Sequence, residues 1–120
     1  MIKMVSKPHK HSKSMVYEAY KLFFGTLTSK DRLLIINALR QKSMQVNAIA
    51  KETGIEQTRL SHNLRRMRNC GFVAIRQAGK YRIYSLNKET IAPLMKIIDK
   101  HMDEYCIHIV SSHHKHKVKE

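Results

Sequence analysis

At 120 residues and 42% apolar content, the chain is one domain with tails, too apolar for a disordered polybasic polymer. Its formal net charge of +14 points to a polyanionic partner. No apolar run approaches the roughly 18 residues of a membrane span, residues 1–14 lack the apolar stretch of a signal peptide, and two cysteines are too few for a disulfide scaffold, so a reducing cytoplasm is the expected compartment.

Residues 1–14 are rich in Lys, His and Ser and are expected to form a disordered basic tail. A first helix is predicted over 14–27, where Val16, Ala19, Tyr20 and Phe23 fall on one stripe. A second spans 29–41. Thr28 and Asp31 have the spacing of an N-cap, and Leu33, Leu34, Ile35, Ile36, Ala38 and Leu39 mark it as the central buried helix. A short third helix over 46–53 buries Val46, Ile49 and Ala50 and stops at Gly54.

The fourth helix, 57–69, has the inward stripe Leu60, Leu64 and Met67, and Gly71 ends it. Residues 72–77 and 81–86 alternate around Ala78-Gly79-Lys80 as a β-hairpin. A last helix is predicted over 88–109, with Ile91, Leu94, Met95, Ile98, Met102, Tyr105 and Ile109 on one stripe and Pro93 confined to its first turn. Residues 111–120 read as a His/Lys-rich tail, so the folded domain is expected over 15–110. The fold class is mainly α with a small β-hairpin, and the core is small for the length, so a dimer interface would supply further burial.

The 32 residues between Glu56 and Glu89 contain no acid and eight Lys or Arg. Helix, glycine-centred turn, helix and basic hairpin form a winged helix-turn-helix. The outward face of the 57–69 helix offers Gln57, Thr58, Ser61, His62 and Arg65, hydrogen-bonding groups on a rod that fits a major groove of double-stranded DNA. Arg59, Arg66 and Arg68 flank that face with reach for phosphates. Arg76, Lys80 and Arg82 on the 72–86 wing are expected to touch the adjacent minor groove or backbone.

The chain resembles the arsenic-repressor-like (ArsR-type) family of small dimeric repressors over about residues 22–106. The resemblance rests on Ser29 to Ile36 with Leu39, Ala50 to Thr58, Leu60 to Leu64, Met67-Arg68, Gly71-Phe72-Val73, and Gly79-Lys80 through Ile83-Tyr84 to Leu86. It implies a homodimer built on the first and last helices, operator binding by the 57–69 helices of both subunits, and repression that a ligand relieves in many members. The dimerising positions are then Val16, Tyr20 and Phe23 in the first helix and Leu94, Ile98, Met102 and Tyr105 in the last.

Departures from the family pattern limit the analogy. Glu56 stands where the family has a hydroxyl N-cap, and Ser61-His62-Asn63-Leu64 where it commonly has Ser-Arg-His-Leu. Gln45 and Asn47 occupy the positions of the thiolate metal site, and Lys88 and Thr90 the early positions of the zinc and nickel type, of which only His101 and Glu104 survive. No cofactor and no built metal site are expected; zinc wants four ligands. A sensor alternative would take the form of weak metal binding in which the tail histidines His9, His11, His108, His113, His114 and His116 complement His101 and Glu104, with Cys106 as a thiol variant. Non-specific DNA coating is the other alternative, against which the polar face of the 57–69 helix argues. Without a phosphate-binding glycine loop, paired carboxylates or a nucleophile–base pair, no enzyme is expected.

Overall fold

The computed structural model describes residues 11–119. Helices α1 (Lys13–Leu27), α2 (Lys30–Gln41), α3 (Val46–Thr53) and α4 (Gln57–Asn69) lead into strands β1 (Val73–Ala78) and β2 (Tyr81–Leu86), followed by α5 (Ile91–His101). The last helix then passes through a π-helical stretch, Met102–Cys106, into α6 (Ile107–Lys119). Around α2 the core closes: Ile35 and Ile36 are fully buried with Ile49 of α3, Leu60, Leu64 and Met67 of α4, and Phe72 ahead of β1. Leu86, Ile91 and Met95 complete it.

Termini of the elements are set by local hydrogen bonding. Ser29, rather than Thr28, caps α2, its hydroxyl accepting from the Arg32 amide at 3.3 Å. Asp31 is thereby released from a capping role. Helix α4 ends in a Schellman motif, with Phe72 N donating to Met67 O at 2.8 Å and Gly71 N to Arg68 O at 3.1 Å. That motif puts Gly71 at φ 78°.

β1 and β2 pair antiparallel from Val73↔Leu86 to Ala78↔Tyr81. Gly79, at φ 63°, opens the two-residue turn. Met44, in the connection between α2 and α3, exchanges backbone hydrogen bonds with Tyr84 (3.0 and 2.8 Å) and so anchors the wing beside α3.

The sequence-based boundaries change at three places. Residues 1–10 of the expected tail lie outside the described residues, but Lys13 and Ser14 are helical, because the Ser12 hydroxyl caps α1 at the Met15 amide. The last helix starts at Ile91 and not Lys88: the Asn87 carboxamide oxygen accepts from the amides of Glu89 and Thr90 and holds them in a turn. At the other end the helix continues to Lys119 through the His/Lys-rich tail. Residues 94–119 contain no Gly or Pro to break it, so the expected stop rested on polar composition alone. The π turn also breaks the single stripe expected from Ile91 to Ile109. One extra residue in the turn rotates the remainder of the helix by about 100°. Ile91 and Met95 are buried, whereas Met102, Tyr105 and Ile109 are exposed.

Candidate nucleic-acid interface

Helix α4 is seated by its apolar stripe and oriented by polar ties at its first turn. Its N-cap is Glu56, whose carboxylate accepts from the amides of Thr58 (2.9 Å) and Arg59 (3.1 Å). A carboxylate with two acceptor oxygens thus replaces the usual hydroxyl and satisfies two orphan donors at a positive helix end. Gln57 Nε2 donates to Asn47 Oδ1 of α3 at 2.6 Å, fixing the start of α4 against its neighbour.

The predicted DNA-facing residues separate into two groups. Thr58, Ser61, His62, Arg65 and Arg68 are exposed on α4. Gln57 and Arg59 are exposed but engaged, Gln57 by Asn47 and Arg59 by Asp31, through Nε at 2.7 Å and Nη2 at 3.3 Å. Arg66 departs from expectation. It is half-buried, its Nε is closed from solvent without a hydrogen-bond partner among the described residues, and its guanidinium lies against Gly25 of α1. Its half-burial against α1 sets it apart from Arg65 and Arg68, which are exposed.

On the wing, Arg76, Lys80 and Arg82 are exposed. Cross-strand partners share a face. The pairs Val73↔Leu86, Ile75↔Tyr84 and Gln77↔Arg82 lie on the core-side face, and Arg76↔Ile83 on the other. Arg76 and Arg82 therefore straddle the ribbon instead of lining one edge, and Lys80 occupies the tip, its ammonium 5.5 Å from the Tyr81 ring centroid.

Three supporting residues escaped the sequence reading. Arg32 donates to Thr26 O, Gly25 O and Asn63 Oδ1, and Asn63 donates in turn to Arg59 O. Asp31 holds Arg59. Asn63 is 6% exposed, and its position between Leu60 and Leu64 on the inward stripe was the available signal: a polar residue there needs a buried partner.

Hydrogen bonding from Arg59, ahead of the attraction of Arg59, Lys30 and Arg32, holds the Asp31 carboxyl below its ordinary range. The backbone amides of Thr58 and then Arg59 do the same for Glu56. Both groups are more acidic folded than unfolded. Their stabilisation is complete above the ordinary carboxylate range and is lost as pH falls through the depressed values, below about pH 4. Chemical unfolding measured from neutral to acid pH should show the double variant Asp31→Asn, Glu56→Gln less stable at neutrality and shallower in its acid limb. An acid limb as steep as that of the parent protein would dismiss both links.

Among the described residues, no three His, Cys, Asp or Glu side chains converge in a metal-binding arrangement. His101 and Glu104 are exposed, and the His101 ring packs on Tyr105 at 4.8 Å. Cys70 is a half-buried free thiol and Cys106 an exposed one. No described helix is long and apolar enough to cross a membrane.

Comparison with known proteins agrees with this geometry. Residues 29–74 match the model of the bacterial regulatory protein arsR family. The chain is similar to the HTH-type transcriptional regulator NmtR of Mycobacterium tuberculosis, 38% identical over 69 residues, a match covering 58% of each chain and thus little over half of NmtR. It is similar to the uncharacterized HTH-type transcriptional regulator Rv0081 of the same organism, 34% identical over 85 residues, covering 68% of this chain and 75% of Rv0081. In structure it is similar to the homodimeric winged helix-turn-helix DNA-binding domain of Mb0332 from Mycobacterium bovis, at TM-score 0.72 and 27% identity, covering 84% of this chain and 95% of that domain.

Proposed function

The chain belongs to the ArsR family of bacterial regulatory proteins, and from that premise we propose that it is a homodimeric, sequence-specific DNA-binding transcriptional repressor of the cytoplasm, without catalytic activity. One observation carries the reading. Thr58, Ser61, His62, Arg65 and Arg68 form an exposed polar and cationic face on a rigidly seated helix, inside a stretch free of acids. The hydroxyls, the imidazole and Arg65 read base edges, while Arg68 holds phosphate. The wing grips flanking DNA through Lys80 and one of Arg76 or Arg82.

The dimer reading draws on a relative described as homodimeric and on apolar surface that one subunit leaves open. Tyr20 and Phe24 of α1 are 52% and 56% exposed, and Met102, Tyr105 and Ile109 are 41%, 58% and 66% exposed. Joining two subunits there hides these side chains and places two α4 helices on one face of DNA. Half-sites would then lie about 10 base pairs apart or a multiple of that. Metal binding, where present, is weak and resides in the terminal histidines.

Selection from random duplexes should return a near-palindrome. Ser61→Ala or His62→Ala should each weaken binding to it by roughly 1–3 kcal/mol and relax sequence preference, whereas Arg68→Ala should weaken all sequences alike and lower the salt dependence. If neither Ser61→Ala nor His62→Ala alters the selected sequence, bases are read elsewhere.

A further inference from the structure

The guanidinium of Arg32 joins three elements. Nε donates to Thr26 O at 2.9 Å and Nη2 to Gly25 O at 3.2 Å, both at the C-terminal end of α1. Nη1 donates to Asn63 Oδ1 of α4 at 2.8 Å. Asn63 closes the chain of bonds by donating Nδ2 to Arg59 O at 2.9 Å, one turn earlier in α4. A cation at a helix C-terminus is favourable in itself, but this one also reaches the middle of the reading helix. Beyond the first-turn ties of Gln57 to Asn47 and Arg59 to Asp31, α4 is held by Leu60, Leu64 and Met67, whose burial is strong but non-directional. Apolar contacts fix how deeply a helix sits more firmly than how it is rotated about its own axis. A directed hydrogen bond at mid-helix fixes the rotation.

We propose that Arg32 is a specificity-determining positioning residue: through Asn63 it sets the rotation of α4 in the groove, and through Gly25 and Thr26 it ties that rotation to α1, the helix assigned to the dimer seam. The proposal rests on the operator-reading function of α4. Arg32 touches no base itself. Its planar fork meets acceptors on two helices at once, which a lysine ammonium, a single compact charge, cannot reproduce. Burial and then the neighbouring Arg66 guanidinium work against the Arg32 charge, with Cys70 and Asp31 opposing them only in part.

The experiment compares full-length wild type, Arg32→Lys and Asn63→Ala on two duplexes: the one wild type selects from random DNA, and a scrambled duplex of equal length. Affinity for each is measured across salt concentrations, with thermal unfolding alongside. Both variants should lose about tenfold or more on the selected duplex, change less than about twofold on the scrambled one, and keep the salt slope. A simple loss of folded protein lowers both affinities by the same factor, so equal losses would overturn the proposal. A salt slope reduced by about one on both duplexes would make Arg32 a phosphate contact and overturn it as well. A selected sequence with an unchanged specificity ratio in both variants defeats the positioning role alone. If wild type selects no sequence, the operator-reading function fails and this inference falls with it.

Discussion

Phe72→Ala should destabilise the protein by roughly 3–5 kcal/mol, the usual cost of emptying a fully buried aromatic site. Phe72 has no exposed surface. Its ring stands 5.3 Å from that of Phe23 in α1, and its amide closes the end of α4. One cavity therefore loosens the proposed reading helix, the strand after it and the helix assigned to the dimer. A domain of this size has only about 5–15 kcal/mol in total, so the variant should unfold at a much lower urea concentration and carry a substantial unfolded fraction near body temperature. Phe72→Leu keeps most of the volume and should recover most of the loss. A stability for Phe72→Ala within about 1 kcal/mol of wild type would mean that the core around α4 collapses freely, contrary to the close packing of Phe72.

Met102→Asp should convert the proposed dimer to a folded monomer. Met102 is 41% exposed in one subunit, so the carboxylate is harmless to an isolated chain. In a two-fold interface the change appears twice, and burying an unpaired charge there costs several kcal/mol. Ile98 is a poorer target, because it also packs on its own subunit's core and its replacement would confuse unfolding with dissociation. Sedimentation should show monomer at micromolar concentration with helical content unchanged. Affinity for a two-half-site duplex should fall by about 100-fold or more, since the second half-site is no longer reached intramolecularly. A dimer that persists in Met102→Asp places the seam elsewhere on the molecule.

The elements of this fold are decided by its sequence because their determinants are local. Periodicity placed α3 and α4 to the residue, with Gly54 and Gly71 supplying the left-handed turns that end them. Alternation about Gly79 made the hairpin, and the run without acids marked its charge as intended for a polyanion. Boundaries were missed where a side chain bonds the backbone in a way periodicity does not record: Ser12 before α1, Ser29 before α2, Asn87 before α5. The exposed face of α4 was likewise legible, since the inward stripe leaves only one face for Ser61, His62 and Arg65.

Which cations are exposed and which are held by other side chains is a different kind of question, and only the tertiary structure answers it. Arg59, Arg65, Arg66 and Arg68 are chemically alike in the sequence. What distinguishes them is a carboxylate 28 residues away on α2 that binds Arg59, and the end of α1 at Gly25, against which Arg66 lies half-buried. Arg76 and Arg82 look equivalent until the strand register puts them on opposite faces. The bond from Arg32 to Asn63 spans 31 residues. Periodicity arises from the geometry of a single helix or strand, which every residue carries with it. Pairing between elements depends on where the folded chain brings distant groups together, and no local pattern contains that distance.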